Sequence, residues 1–299
     1  MSDLPLPPPE PRRLAYLGSP EMAVPPLRAL VAAGHDVAVV VSRPDKRRGR
    51  SSKTSPSPVK AAAVELGLPV VESVDDALAH DVDLAVVVAF GRIIRRNALE
   101  RVPFVNLHFS LLPRWRGAAP VERAILAGDE TTGVCLMAIE ESLDTGGVYR
   151  RTEVAIGDDT LEELRGRLVE AGTAQLLDAL ANGFGTPEPQ EGEPTYADKL
   201  EADDLRLDWE RPAIEVARVV RLGRAWTTYR GKRLLVLEAT PLDEPAAGPA
   251  ASLHGDRVVC GEGQLQLRTV RPEGRAAMDV RSWLNGARPE PGDRLGEPS

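Results

Sequence analysis

The chain has 299 residues, 42% of them apolar and 27% charged, the composition of a globular protein large enough to bury its core without covalent staples. Two widely spaced cysteines, Cys135 and Cys260, exclude a disulfide framework, and no apolar run approaches the ~18 residues of a membrane span. The net charge of −8 is unevenly placed: Lys46, Arg47, Arg48, Arg50 and Lys53 put +5 into residues 46–53, leaving −13 on the other 291. A basic loop on an acidic body suits a local anionic partner, although charge alone favours a solvated, mobile loop.

The opening MSDLPLPPPEP has neither the basic start nor the apolar run of a signal peptide, and predicts a mobile Pro-rich tail. RLAYL (13–17) then reads as a buried strand, followed by a helix ending at Gly34 and a β-branched strand, VAVVVS (37–42). After the basic loop come a helix, a short strand, and a continuous apolar strand LAVVVAF (84–90) ending at Gly91. Strands apolar on both faces and alternating with helices predict a mainly parallel, Rossmann-like α/β sheet. The first turn reads GSPEMA, so the G-x-G-x-x-G spacing for a dinucleotide is missing, and no P-loop is present.

FVNLH (104–108) and GVCLMAI (133–139) are further strands, separated by the loop SLLPRWRGAAP and a helix that Pro120 opens. RTEVAI is a strand, and TLEELRGRLVEAGTAQLLDAL is an amphipathic helix with a T-x-x-E capping box at Thr160 and Glu163. Residues 12–183 are therefore expected to form one domain, and the Pro-, Gly- and acid-rich stretch 184–203 a linker. Residues 204–299 hold a helix at 212–222 and then short β-runs, KRLLVLEA, RVVC and QLQLRTV, which predict a small OB-like β-barrel.

Asn106 and His108 alternate on one strand, so both side chains share a face, with Ser110 next in line. They stand at the strand's C-terminal end, where parallel sheets bind ligands. An amide donor beside an imidazole suits a developing oxyanion, although a packed histidine and a loop-satisfying amide fit the same pattern. Asp144, in the glycine loop L-D-T-G-G, could orient an imidazole or accept a proton through water, or could simply precede a turn. No nucleophile stands out: Ser110 lacks a G-x-S-x-G elbow and Cys135 alternates within an apolar strand. The scattered histidines and cysteines predict no metal site. Arg114, Trp115 and Arg116 could form an anion-binding corner or a surface turn. Residues 216–237 carry Arg218, Arg221, Arg224, Arg230, Lys232 and Arg233 without an acid, a pattern for phosphate contact or for a solvated face.

Taken together, VNLHFSLLPRWRGAAP and GVCLMAIEESLDTGGVY resemble the folate-dependent formyltransferases. The loop RPDKRRGRSSKTSPSPVK, the hinge TYADKLEADDLRLDW and the tail RTVRPEGRAAMDVRSWLNGARPEPGDRL are similar to the branch of that family whose acceptor is methionyl-tRNA. The resemblance covers residues 13–295. It implies 10-formyltetrahydrofolate as co-substrate, no metal, initiator methionyl-tRNA as partner, and a cytoplasmic monomer that touches no membrane. It also implies roles: Asn106, His108 and Asp144 in catalysis; Val88, Ala89, Phe90, Gly91, Ser110, Leu111, Leu112, Pro113, Ile139, Glu140 and Leu143 around the folate. Lys46, Arg47, Arg48, Arg50, Lys53, Arg218, Arg221, Lys232 and Arg233 would meet the tRNA. Two departures stand out: Gly49-Arg50-Ser51-Ser52-Lys53 replaces the usual G-R-G-K, and Phe109 stands where glycine is frequent. The competing expectations are a formyltransferase acting on a nucleotide-linked amino sugar and a non-catalytic RNA-binding relative.

Overall fold

The structure is a computed structural model, and it describes residues 4–47, 54–245 and 247–296. The chain separates into two compact units. The first comprises residues 1–121, 131–155 and 165–198; the second comprises 122–130, 156–164 and 199–299.

The first unit is built on seven strands: β1 (Arg13–Gly18), β2 (Asp36–Val41), β3 (Val70–Val71), β4 (Leu84–Val88), β5 (Phe104–His108), β6 (Thr131–Ala138) and β7 (Val148–Ala155). Their order across the sheet is β7-β6-β5-β4-β1-β2-β3. The first five strands are mutually parallel, while β6 runs antiparallel to both β5 and β7. This is the expected Rossmann-like sheet, with its switch point where Gly18 of β1 lies beside Val88 of β4. Helix α1 (Val24–Ala32) connects β1 to β2, α2 (Pro58–Glu65) connects β2 to β3, and α3 (Pro120–Ala127) follows β5 in the chain. Ser57 caps α2 through its side chain, and Pro58 fills the first helical position, where no amide hydrogen is needed.

The apolar run expected over 84–90 leaves the sheet at Val88, because Ala89 turns into the left-handed region at φ 48°. The tail expected to be mobile also has a place. Leu4 packs against the core formed by Leu17, Val87, Phe90 and Phe104, so apolar contact offsets the entropy of ordering. Leu4–Leu6 share a shallow pocket with Phe104, Ile139, Tyr149 and Pro187.

On β5 the alternation separates two duties. Asn106 and His108 face one side, while Leu107, 2% exposed, faces the other. There it meets helix α4, whose range is Leu161–Asn182. A Cβ on Gly172 of that helix would lie 3.4 Å from Leu107 and 3.1 Å from Val134, so glycine permits close approach of helix to sheet. The capping box expected for α4 is present: Thr160 Oγ1 accepts from the Glu163 amide, and the Glu163 carboxylate accepts from the Thr160 amide.

The second unit contains the expected antiparallel β-structure. Its strands are β8 (Trp226–Tyr229), β9 (Lys232–Leu242), β10 (Leu253–His254), β11 (Arg257–Val259), β12 (Gln264–Pro272) and β13 (Met278–Asp279). The order is β8-β9-β12-β11-β10, with β13 also paired to β12. Helix α5 (Ala213–Arg221) buries Ala213, Val216, Ala217 and Val220 in the core of this sheet. Helix α6 (Val280–Ala287), which periodicity did not single out, starts at an Asp279 cap and buries Val280 and Trp283. Asp293 ties this unit together: its Oδ2 accepts from Tyr229 Oη (2.6 Å), Arg230 Nη2 (2.8 Å) and the Glu290 amide (3.1 Å).

Two outcomes follow for stability. Leu107→Ala leaves a cavity between β5 and α4 and costs about 2–5 kcal/mol in urea unfolding. The Tyr229 hydroxyl, then the Glu290 amide and Arg230, hold the Asp293 carboxyl below its ordinary value. Its stabilisation is therefore complete above the ordinary carboxylate pKa of ~3.9 and is lost as pH falls through the lowered one. In Asp293→Asn, stability measured against pH is lower at neutrality and converges on the parent in acid.

Candidate active site

The site belongs to the first unit and starts from the end of β5. His108 is 5% exposed, and its Nε2 lies 2.9 Å from the carbonyl oxygen of Trp115. A carbonyl only accepts, so Nε2 carries the hydrogen and donates it. The other ring nitrogen, Nδ1, faces Asp144 with Oδ2 at 3.6 Å. In the neutral ring Nδ1 holds a lone pair; in the charged ring it is an N–H aimed toward a carboxylate. Nδ1 is thus the nitrogen left to exchange a proton with a ligand.

Both partners of His108 sit on constrained backbone. Trp115 has φ 60° and Asp144 φ 52°, left-handed conformations that side-chain-bearing residues seldom hold without support. The support is visible. Asp144 Oδ2 accepts from the Gly117 amide at 2.8 Å, and Gly117 has φ +120° with Ala197 O 2.9 Å from where a Cβ would stand. Gly146, two residues after Asp144, leaves no room either: a Cβ there would lie 2.0 Å from Ala138 O. The Trp115 amide donates to Thr195 Oγ1 at 2.9 Å, and the Arg116 amide to Thr195 O at 2.8 Å.

Asn106 stands two residues before His108 on the same face and is half-buried. Among the described residues its carboxamide has no hydrogen-bond partner, so the amide is available to a ligand. Asn106 and His108 share a face as their alternation predicts, and Asp144 stands 3.6 Å from the His108 ring. Together they offer one amide, one imidazole N–H and one carboxylate, the complement for stabilising an oxyanion and moving a proton.

The expected folate contacts divide between backbone and side chain. Val88 and Phe90 are buried, so the turn from Val88 to Gly91 can present only backbone together with Ala89. Arg43 Nη2 holds that turn, donating to Gly91 O at 3.1 Å. Ser110 Oγ donates to Arg114 O at 2.6 Å and shapes the loop 110–115 from within. Leu112 is buried with Cys135, Met137 and Val148, and Leu111 packs over Gly133. Pro113 is half-buried and follows a cis bond from Leu112. Ile139 packs partly on the core, Glu140 is half-buried, and Leu143 is 62% exposed, an apolar side chain open to a flat ring. Among the described residues no cluster of histidine, cysteine and acidic groups could hold a metal.

The basic positions fare differently. Lys46–Arg47 pairs antiparallel with Thr54–Ser55, and Lys60 Nζ meets Asp45 Oδ1 at 2.7 Å, so the stem of the basic loop is a hairpin. Arg48, Arg50 and Lys53, together with the expected mobility of the loop tip, lie outside the described residues. In the second unit Arg218 packs against Gly128. Arg221 donates to Asp159 O (2.7 Å) and Gly157 O (2.8 Å), and burial pulls its pKa down. Lys232 and Arg233 are exposed, and the Arg233 guanidinium stacks 4.4 Å from the Trp226 ring.

The carbonyl of Trp115 has no sequence signature, because every residue carries one. Thr195 and Gln190 lie in the Pro-, Gly- and acid-rich stretch 184–203, whose composition is that of a linker.

Residues 12–180 match the family described as "Formyl transferase", and residues 199–288 match "Formyl transferase, C-terminal domain". The chain is 43% identical to methionyl-tRNA formyltransferase of Jannaschia sp. (strain CCS1) over 95% of its own length and 99% of that protein. It is 42% identical to the methionyl-tRNA formyltransferase of Symbiobacterium thermophilum, with 96% of each covered. Among solved structures, methionyl-tRNA formyltransferase from Clostridium thermocellum has TM-score 0.58 at 14% identity, covering 76% of this chain and 92% of that one. An N-formyltransferase from Helicobacter canadensis, in complex with folinic acid and dTDP-3-aminofucose, has TM-score 0.66 at 16% identity, with 85% and 98% covered. At these identities the structures speak for the fold alone, whereas the full-length sequence matches speak for the family. The chain belongs to the methionyl-tRNA formyltransferases of the formyl transferase family.

Proposed function

We propose that this chain moves the formyl group of 10-formyltetrahydrofolate to the α-amino group of methionine carried by initiator tRNA. The observation that carries the chemistry is the unpartnered Asn106 amide beside a His108 whose only free nitrogen points toward Asp144. The neutral amine forms a bond to the formyl carbon while the bond from that carbon to the folate nitrogen breaks. One proton leaves the amine and one arrives at the folate nitrogen, so the exchange balances without an external reagent.

The chain's own residues have distinct duties in this scheme. The Asn106 amide donates to the formyl oxygen as negative charge grows on it, and the charged His108 ring on the same face adds electrostatic stabilisation. Trp115 O holds the imidazole through Nε2, so the ring does not reorganise as that charge appears. The Asp144 carboxylate keeps the charged ring in place and takes the amine proton, directly or through water. Backbone at 88–91 and the 139–143 loop form the walls for the folate ring, with Leu143 as the apolar face. This fits a flat, partly polar heterocycle: carbonyls and amides at the edge, a leucine above.

For the acceptor, the basic residues 46–53 and the exposed Lys232 and Arg233 are the proposed tRNA contacts, with phosphate neutralisation supplying sequence-independent affinity. Arg218 and Arg221 support the surface by packing and by bonds to carbonyls. The proposed division is catalysis in residues 12–183, which also carry the basic loop at 46–53, and tRNA contact in 204–299, with 184–203 between them. Among the described residues no helix is long and apolar enough to cross a membrane. We place the protein in the cytoplasm as a monomer, in keeping with a substrate made there.

The test is formyl transfer from 10-formyltetrahydrofolate to methionyl initiator tRNA, run beside a nucleotide-linked amino sugar as acceptor. Transfer to the tRNA alone is expected. His108→Ala lowers kcat about 10²–10⁴-fold and Asn106→Ala about 10²–10³-fold, with folding unchanged by circular dichroism. Transfer to the sugar but not to the tRNA would overturn the acceptor assignment.

A further inference from the structure

We infer that Gln190 is a positioning residue for the transfer reaction: its carboxamide clamps the Asp144 loop to the Arg116 loop and so sets where the Asp144 carboxylate stands against His108. The inference rests on the proposed function for its kinetic consequence and on geometry for the clamp itself.

One side chain makes four hydrogen bonds. Gln190 Oε1 accepts from Arg116 Nε at 3.1 Å and from Arg116 Nη2 at 2.7 Å. Gln190 Nε2 donates to Asp144 O at 2.8 Å and to Gly146 O at 2.9 Å. The guanidinium has only donors and the two carbonyls only accept, so the orientation of the amide is fixed. Both lone pairs and both hydrogens are used. No other side chain of that length supplies two acceptor directions on one end and two donors on the other.

The clamp falls where the site needs it. Each joined loop holds one partner of His108: Trp115 O, next to Arg116, holds Nε2, and the Asp144 carboxylate faces Nδ1. Asp144 itself lies in the left-handed region at φ 52°, so its backbone relies on outside ties. Gln190 binds the carbonyl of Asp144 itself. The segment carrying Gln190 is anchored further along, where Thr195 takes the Trp115 and Arg116 amides and Ala197 O takes the Ala118 amide. The stretch that composition marks as a linker is thus the frame on which two catalytic loops are hung.

The clamp can be cut on one side. In Gln190→Glu the oxygen facing Arg116 is kept, while the two donors become an acceptor set against two carbonyl oxygens. Gln190→Met removes both sides at similar volume. In the full-length chain, Gln190→Glu is expected to lower kcat about 10–100-fold, with KM for methionyl-tRNA changed less than about threefold. In an Asp144→Asn background the same change adds nothing further, because Gln190 acts through Asp144. Amide exchange of Gly117, whose N–H rests on Asp144 Oδ2, speeds up about tenfold or more in Gln190→Glu without any substrate. That readout is independent of the reaction: a parent chain that transfers no formyl group would sink the proposed function, and the exchange result would still judge the clamp. Parent-like kcat in Gln190→Glu, an added loss in the Asp144→Asn background, or unchanged exchange at Gly117 would each overturn it. Unfolding of both Gln190 variants would also do so, by assigning Gln190 a purely structural role.

Discussion

The hydrogen bond from His108 Nε2 to the Trp115 carbonyl is the constraint on which the site depends. A free imidazole can carry its hydrogen on either nitrogen and can turn about its side-chain bonds. One backbone acceptor removes both freedoms. With Nε2 committed, protonation and deprotonation happen at Nδ1, beside Asp144 and on the face shared with Asn106. The rest of the first unit delivers that one carbonyl. Trp115 must adopt φ 60° to aim it, Thr195 must hold the Trp115 amide, and Ser110 must close the loop onto Arg114 O.

Much of this was legible in the residues. FVNLH is a strand over the span that its alternation gave, and a two-residue period was enough to put Asn106 and His108 on one face with Leu107 behind them. The parallel run of apolar strands, the Pro120 helix start and the Thr160–Glu163 box also match expectation. These features are local, and local chemistry leaves a mark on sequence. The missed features are tertiary. Leu4 looked like part of a mobile tail because nothing in MSDLPLPPPEP reveals the core it packs on. Gln190 falls in a linker-like stretch because its three partner residues are 44–74 positions away. Ala89 ended a strand that apolarity alone carried to Phe90, since a φ of 48° is set by the turn and by Arg43 holding the Gly91 carbonyl.

Charge illustrates the same limit. Counting bases along 216–237 treats all six as equal. In the fold Arg221 is consumed by two carbonyls, Arg218 lies against Gly128, and Arg230 is bound to Asp293, while Lys232 and Arg233 stay exposed. A positive stretch therefore splits into cations that hold the unit together and cations that stay at the surface. An acidic protein can address a polyanion in this way, with a few outward bases rather than a basic surface.

The most direct test of the account is the tautomer of His108 in the neutral state, read by nitrogen-15 correlation spectroscopy on histidine-labelled protein. Hydrogen on Nε2 and a bare Nδ1 are expected, with the pattern lost in His108→Ala. Hydrogen on Nδ1 in the neutral ring would contradict it, because Trp115 would no longer hold the imidazole and the nitrogen facing Asp144 would not be the one that exchanges protons.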